Sequence, residues 1–370
     1  MILHITNDYN LTKVHKELYK ALDNSGVKQK IFIPLRNDKQ IGKNHFKFLT
    51  NESDYIYSNK INLIHRIFFP YKISTLFKSL EKKIDLKEIK LIHATTLFSD
   101  GAIAYKLNKK YKIPYIVAVR NTDINFYFNN RKELIPLGIN ILKNASKIIF
   151  ISESNRKAFI NKEKIKPIRN IINSKIEVIN NGIDEFWLNN IYPYQPTNGY
   201  NFLFIGRFDK NKNVERLIDA LSEVKDKKNI PITLNLVGGT GVNHKSVLEK
   251  ISKLDWITYN GEIYDKNSLL EIIRNTNYFS LISHYETFGL VYLEALSQGK
   301  PILYTKNQGV DGVFELNLGE RTDSKNLNEI IEKIEKLLSN QYEDINSIDF
   351  NKFSWISISE KYQQLYNYTI

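Results

Sequence analysis

Short apolar runs alternate with amphipathic stretches along the first half of the chain. "ILHIT" predicts a strand, "LTKVHKELYKALDNSG" a helix closing near Gly26, and "QKIFIPL" the next strand. The pattern continues through "IKLIHA", "DGAIAYKLNKKYK" and "PYIVAVR", then "GINILKNASK", "IIFIS" and "KIEVINNGI". Unbroken apolar strands spaced by helices predict a parallel sheet covered on both faces. A break follows at "EFWLNNIYPYQPTNGYN", where Pro193, Pro196 and Gly199 mark a linker. The second half repeats the scheme. "NFLFIGR", "ITLNLVGG", "ITYNGEI", "YFSLIS" and "PILYT" read as strands, separated by "NVERLIDALSEVK", "KNSLLEIIRNT" and a helix inside "ETFGLVYLEALSQGKP". Closing helices are expected near 325–339 and 353–369. The fold class is therefore α/β, with two tandem Rossmann-like doubly wound domains. Residues 1–190 form the first and 191–352 the second, and 353–370 form a helix crossing back to the first. Ligands of such sheets sit at the carboxyl ends of strands, which makes an interdomain cleft the expected site.

Composition narrows the chemistry. The 370 residues include no cysteine and seven scattered histidines without an HExxH pair, so no metal site is expected. "MILHITNDYN" lacks a basic, apolar leader, and no run approaches a membrane span, so a cytoplasmic protein is expected. Charge is uneven. Residues 1–190 carry 33 basic against 17 acidic side chains, net +16, while 191–370 carry 20 against 23, net −3. A basic first half suits an anionic partner, such as lipid headgroups or a charged substrate, although drift toward Lys, Asn and Ile accounts for it equally well. Within it, 59–83 interleaves Arg66, Lys72, Lys78, Lys82 and Lys83 with Ile67, Phe68, Phe69, Tyr71 and Phe77. Such a segment fits either a membrane interface or a surface helix packing its aromatics on the core.

The second half holds the sharper motifs. "FLFIGRFDKNK" places Gly206 and Arg207 at a strand end and Lys212 five residues on. Arginine offers a planar fork to phosphate oxygens and lysine a point charge, though cations after a strand are commonly just solvated. "LNLVGGTG", with Gly238, is a tight turn or a place where backbone approaches a ligand; it is neither a P-loop nor a Rossmann fingerprint. In "ETFGLVYLEALSQGKP", Thr287 is expected to cap a helix starting near Phe288 or Gly289, with Gly299 and Pro301 ending it. Glu286 then precedes the helix and Glu294 lies inside it. Eight residues at 100° each separate the two by about 80°, so they suit two ends of one elongated ligand better than a stacked pair. The free amides near Phe288, Gly289 and Leu290 between them form an anion site.

Gly206-Arg207…Lys212, Gly238, "GEIYD" and the E-x7-E of Glu286 and Glu294 together resemble glycosyltransferase family 4, retaining enzymes of GT-B fold. The resemblance covers the second domain well and the first more loosely. It implies that Arg207 and Lys212 bind the donor diphosphate and that Glu286 contacts sugar hydroxyls near the reaction centre. It further implies that amides of Phe288, Gly289 and Leu290 hold phosphate or sugar, that Glu294 holds the ribose diol, and that Gly261 and Glu262 lie by the base. With no DxD in the chain, Arg207, Lys212 and the helix end stand in for a phosphate-bound metal, and no cofactor is expected beyond the nucleotide sugar, with UDP as the expected carrier.

The first domain departs from the family. Its first loop, "TNDYNLTKVH" with Asn10, lacks the paired glycine of many members. "RNTD" stands where many carry a histidine, so Arg120 replaces it; arginine cannot be a general base but can stabilise a leaving phosphate or an anionic acceptor. Asp123 keeps the family's acidic position and, with His93, completes the expected acceptor side. The expectation is a metal-independent transfer of a hexose-type sugar to a hydroxyl of a growing cell-surface glycan. A lipid-linked acceptor at the inner membrane face would explain the basic first half, and no nucleic-acid partner is expected. The alternatives are a nucleotide-sugar epimerase of the same fold and a basic nucleic-acid-associated protein, which leaves Glu286, Glu294 and the GR…K spacing unexplained.

Overall fold

The computed structural model describes residues 1–370 apart from the side chain of Arg66, so that member of the 59–83 cation set lies outside the described residues. The chain forms two compact units. The first comprises Met1–Ile151, Asn155–Gly182 and Trp355–Ile370; the second comprises Ser152–Ser154 and Ile183–Ser354.

The first unit is built on a seven-stranded parallel sheet. Its strands are β1 (Ile2–Ile5), β2 (Gln29–Ile33), β3 (Asp54–Tyr57), β4 (Leu91–Ala94), β5 (Tyr115–Ala118), β6 (Lys147–Phe150) and β7 (Ile176–Val178). They lie in the order β3-β2-β1-β4-β5-β6-β7. β1, β4 and β5 are buried at every position, as their unbroken apolar sequences demand of strands covered on both faces. The final helix, Trp355–Thr369, packs along Val14–Asn24, burying Ile358, Tyr362, Leu365 and Tyr366 beside Leu18 and Leu22. Segment 59–83 becomes two helices, Leu63–Ile67 and Phe69–Lys83. The second turns Phe69, Ile73, Leu76 and Leu80 into the core, while Leu63, Ile64, Ile67, Phe68 and Tyr71 stay exposed.

The second unit has six parallel strands: β8 (Asn201–Arg207), β9 (Thr233–Gly239), β10 (Ile257–Tyr259), β11 (Tyr278–Leu281), β12 (Ile302–Thr305) and β13 (Gly319–Thr322). Their order is β10-β9-β8-β11-β12-β13. In both units the order reverses beside the first strand, which opens a crevice at the carboxyl ends of β1 and β4 and of β8 and β11.

The division between units falls at Gly182–Ile183 rather than near residue 190, and the second unit runs to Ser354 rather than 352. Ile183 bridges Ser354 in parallel and its N–H donates to the Phe353 carbonyl at 2.8 Å, while Trp187 is buried. These contacts draw "IDEFWL" into the second unit ahead of the prolines. Gly182 stays with the first unit, where a Cβ would come within 2.6 Å of the Trp355 indole. Two strands escaped the hydrophobic pattern, β3 and β13, both at sheet edges. Among the described residues no helix is long and apolar enough to cross a membrane.

Candidate active site

In the second unit the register of β8 against β9 sets Gly206 opposite Gly238 and Arg207 opposite Gly239. Gly238 has φ +116°, and a Cβ there would lie 2.1 Å from the Gly206 carbonyl oxygen, so only glycine fits. Its N–H donates to the Gly261 carbonyl at 2.7 Å. The three glycines thus form a side-chain-free ledge at the carboxyl ends of β8 to β10. Beyond it, the Glu262 carboxylate accepts from the hydroxyls of Thr240 at 3.1 Å and Tyr264 at 3.0 Å, on the surface.

Arg207 ends β8 with its side chain 69% exposed, and its nearest carboxylate is Asp209 at 4.0 Å. The following turn is closed by the Lys212 N–H donating to Asp209 at 3.0 Å. It brings the Lys212 ammonium to the Glu286 carboxylate at 2.7 Å, both side chains being largely shielded. The Ser283 hydroxyl also donates to Glu286, at 3.3 Å, as does the Thr287 N–H, at 3.1 Å. The Glu286 backbone is held on both sides: its N–H donates to the Gln308 side chain at 3.1 Å, and its carbonyl accepts from Gly309 N–H at 3.0 Å. Gly309 is pressed so close that a Cβ would meet Glu286 Cγ at 2.8 Å. The geometry brings together Gly206, Arg207, Lys212 and Glu286 from segments 80 residues apart.

The helix after Glu286 runs Leu290–Ser297. It starts later than Phe288, and Thr287 does not cap it. Gly289, at φ +77°, is the N-cap, because Phe288 is buried and the chain must turn sharply to re-enter the helix. A Cβ at Gly289 would strike the Tyr292 ring at 2.5 Å. The amides of Leu290 and Val291 are the free N-terminal donors, that of Tyr292 already donating to the Gly289 carbonyl at 2.9 Å. Glu294, one face away, has no side-chain hydrogen-bond partner among the described residues. Burial pushes its pKa from 4.5 up to about 7, the nearby Asp184 adds to the rise, and Lys266 opposes it. Asp184 and Lys266 pair with each other at 2.5 Å. Neither stood out in the sequence, since each lies far from Glu294 along the chain.

The expected acceptor residues of the first unit divide differently. Asp123 is fully buried and its carboxylate accepts backbone N–H groups of Leu97 at 3.0 Å, Phe98 at 3.3 Å and Arg120 at 2.9 Å. It ties the loop after β4 to the loop after β5 and presents nothing to a ligand. Burial raises its pKa to about 6, against the three amides. His93 is likewise buried: its Nδ1 meets the Tyr366 hydroxyl at 2.9 Å, and burial holds its pKa well below the usual histidine value, so it is neutral and structural. Asn10 is buried, and its amide, oriented to satisfy its neighbours, donates to the carbonyls of Gln40 at 3.2 Å and Lys43 at 3.1 Å. Arg120 remains half-exposed, anchored through Nε to the Thr95 carbonyl at 3.0 Å. A cavity of about 550 Å³, lined in part by Asn7, Arg36, Lys72 and Ser99, occupies the carboxyl ends of β1, β2 and β4. The sequence pattern marks Lys72 only as one cation of segment 59–83 and does not mark Asn7, Arg36 or Ser99. The available signal was the position of Asn7 and Arg36 just past two adjacent strands.

Residues 194–352 match the family described as "Glycosyl transferases group 1", and residues 12–185 match "Glycosyltransferase Family 4". The chain is 27% identical over 281 residues to N,N'-diacetylbacillosaminyl-diphospho-undecaprenol alpha-1,3-N-acetylgalactosaminyltransferase of Campylobacter jejuni, covering 70% of this chain and 72% of that protein. Sucrose-phosphate synthase from Thermosynechococcus elongatus superposes with a TM-score of 0.76 at 18% identity, covering 99% and 98% of the two chains. Anabaena HepE in complex with UDP and glucose superposes with a TM-score of 0.65 at 16% identity, covering 98% of each chain. These likenesses identify the two doubly wound units as a GT-B fold. With both units matched, and with the glycine ledge, the strand-end cations and the paired glutamates in place, the chain belongs to glycosyltransferase family 4 and is a glycosyltransferase.

Proposed function

We propose that the protein is a retaining, metal-independent transferase. It moves a hexose-type sugar from a UDP-sugar to a hydroxyl of a growing, lipid-linked cell-surface polysaccharide, working from the cytoplasmic side. One observation carries the donor reading. Arg207 ends β8, the Lys212–Glu286 pair joins the turn after β8 to the loop just before helix Leu290–Ser297, and Glu294, with no side-chain hydrogen bond among the described residues, lies in the first turns of that helix. Cation, free amides and hydroxyl-accepting acids in that sequence match diphosphate and the two flanking polyols. The HepE complex with UDP and glucose supports the choice of nucleotide. The undecaprenol-linked substrate in the name of the Campylobacter relative supports the acceptor class and the role in polysaccharide assembly.

In this reading the acceptor oxygen attacks the anomeric carbon on the face the leaving phosphate departs from. The new C–O bond forms as the sugar–phosphate bond breaks, and the acceptor proton passes to a phosphate oxygen. Arg207, Lys212 and the amides at Leu290 stabilise the charge growing on the diphosphate. Glu286 orients the sugar, the ledge of Gly206, Gly238 and Gly261 admits the nucleotide, and Arg120 serves the acceptor side. The test is thermal melting with UDP, GDP and ADP, followed by turnover of a nucleotide-sugar panel in EDTA with the product anomer read by NMR. UDP should raise the melting temperature most and the product should keep the donor's anomeric configuration. An unshifted melt with no transfer refutes the proposal. Epimerised donor without acceptor would replace it with the epimerase reading, and salt-sensitive DNA binding without nucleotide binding would replace it with the nucleic-acid reading.

A further inference from the structure

The cavity of the first unit lies at that sheet's own switch point, and its polar lining is cationic. Asn7 follows β1, Arg36 follows β2, Ser99 opens the helix after β4, and Lys72 comes from helix Phe69–Lys83. The Asn7 side-chain oxygen accepts from Arg36 at 3.2 Å and from Lys72 at 3.4 Å, and Lys72 donates to Ser99 at 3.0 Å. Two like charges therefore converge on one neutral oxygen. Neither forms a direct ion pair with a carboxylate among the described residues; the buried Asp100 carboxylate, which accepts the Asn7 N–H at 3.1 Å, is the opposing charge that attracts Lys72, against the repulsion of Arg36. Arg131 adds a third cation to the lining, already paired with Glu133. With Arg36 and Lys72 set against the one buried carboxylate of Asp100, the concave site keeps a positive excess that suits a polyanion.

The same cavity has an apolar side. Ile61, Leu63 and Phe69 line it. Leu63 is 74% exposed, Ile64 54% and Ile67 67%, all on the short helix Leu63–Ile67, and Phe68, which follows it, is 61% exposed. Large apolar side chains this exposed and this close together mark a surface that something apolar covers. Leu63 and Ile67 are one helical turn apart and share a face.

We propose that this cavity is the acceptor's phosphate subsite, with Arg36 and Lys72 holding the phosphate ester of an amphiphilic acceptor and the Leu63–Phe68 lip receiving its hydrocarbon chain. The inference rests on the transferase reading and names its acceptor as a lipid phosphate or diphosphate. A soluble sugar phosphate would offer the same anion, and the exposed lip favours the lipid.

Calorimetric titration of the full chain tests it with farnesyl diphosphate, inorganic diphosphate, glucose 6-phosphate and farnesol, each with UDP already saturating. Farnesyl diphosphate should bind at least tenfold tighter than the other three. Arg36→Ala, at an exposed position that the fold tolerates, and Lys72→Met should each weaken it about tenfold or more, with UDP affinity unchanged. Leu63→Ser with Phe68→Ser should remove the preference for farnesyl diphosphate over inorganic diphosphate. Tighter glucose 6-phosphate binding, farnesyl diphosphate binding seen without UDP but lost once UDP saturates, or unchanged binding in Arg36→Ala would each overturn the proposal. Farnesyl diphosphate binding that needs Arg36 in a protein that neither binds UDP nor transfers sugar would uphold the subsite while refuting the transferase reading.

Discussion

Glu294 offers the most direct test of the donor site, because an acid kept for a ligand costs stability when the ligand is absent. Its pKa rises from 4.5 to about 7, chiefly through burial. Below pH 4.5 the group is protonated in folded and unfolded chains alike and has no effect. Above pH 7 it is ionised in both, and the folded state bears the full cost. The penalty therefore grows as pH rises from about 4.5 to about 7, and the difference between those values is worth about 3 kcal/mol. Glu294→Gln removes the charge and keeps the shape. The difference in melting temperature between variant and wild type should be near zero at pH 4.5 and should favour the variant at pH 8. For a unit of this size about 3 kcal/mol corresponds to roughly 6–12 °C. Taking the difference cancels the other titrating groups, Asp123 among them. Calorimetry at pH 7.5 should show the same variant losing UDP affinity by roughly ten- to hundredfold, since an amide accepts hydroxyls less strongly than a carboxylate. A variant less stable than wild type at pH 8, with UDP affinity intact, would make Glu294 a structural acid and refute the reasoning.

Lys212→Ala and Glu286→Ala each leave one half of a shielded pair at 2.7 Å alone, and each should lower kcat by roughly 10²–10³ in a donor-turnover assay while circular dichroism shows the fold retained. Arg207→Ala, at an exposed strand end, should leave stability within about 0.5 kcal/mol in denaturant titration yet raise the KM for the donor. Gly238→Ala places a Cβ 2.1 Å from the Gly206 carbonyl oxygen, so β8 and β9 must part and the melting temperature should fall by more than for any of the polar variants. Asp123→Ala orphans three buried N–H groups and should cost about 3 kcal/mol or more in chemical denaturation; loss of transfer with unchanged stability would instead restore Asp123 to a ligand-binding role.

The central strands were legible because a parallel strand covered on both faces has to be apolar throughout, and "LIHA" or "YIVA" cannot be read otherwise. β3, "DYIY", and β13, "GERT", were not legible. An edge strand is hydrogen-bonded on one side, and its residues face solvent on the other, so nothing forces an apolar run. Spacing revealed Glu286 and Glu294 because both sit in one segment whose helix and stop signals are local. Asp123 misled for the opposite reason. An acid beside a strand end looks the same in sequence whether it faces a ligand or three backbone amides, and the amides of Leu97 and Phe98 come from another loop. Arg36 and Lys72 converge only through the strand order, which places the residues after β1, β2 and β4 side by side.

The two switch points carry the same parts in different electrostatic states. In the second unit Lys212 already spends its charge on Glu286, which leaves Arg207 and the helix amides as the free donors for a diphosphate. A partly neutralised site suits a group that arrives as substrate and must leave as product, since a cluster of bare cations would hold the released nucleotide. In the first unit Arg36 and Lys72 meet at the neutral Asn7 oxygen, Lys72 also donates to the Ser99 hydroxyl, and neither is held in a direct ion pair, with the Asp100 carboxylate offsetting part of their charge. That arrangement suits an anion that is held in place while chemistry happens at another part of the same molecule. On the proposed reading, the division of labour between donor and acceptor follows from which lysine is held in a direct ion pair.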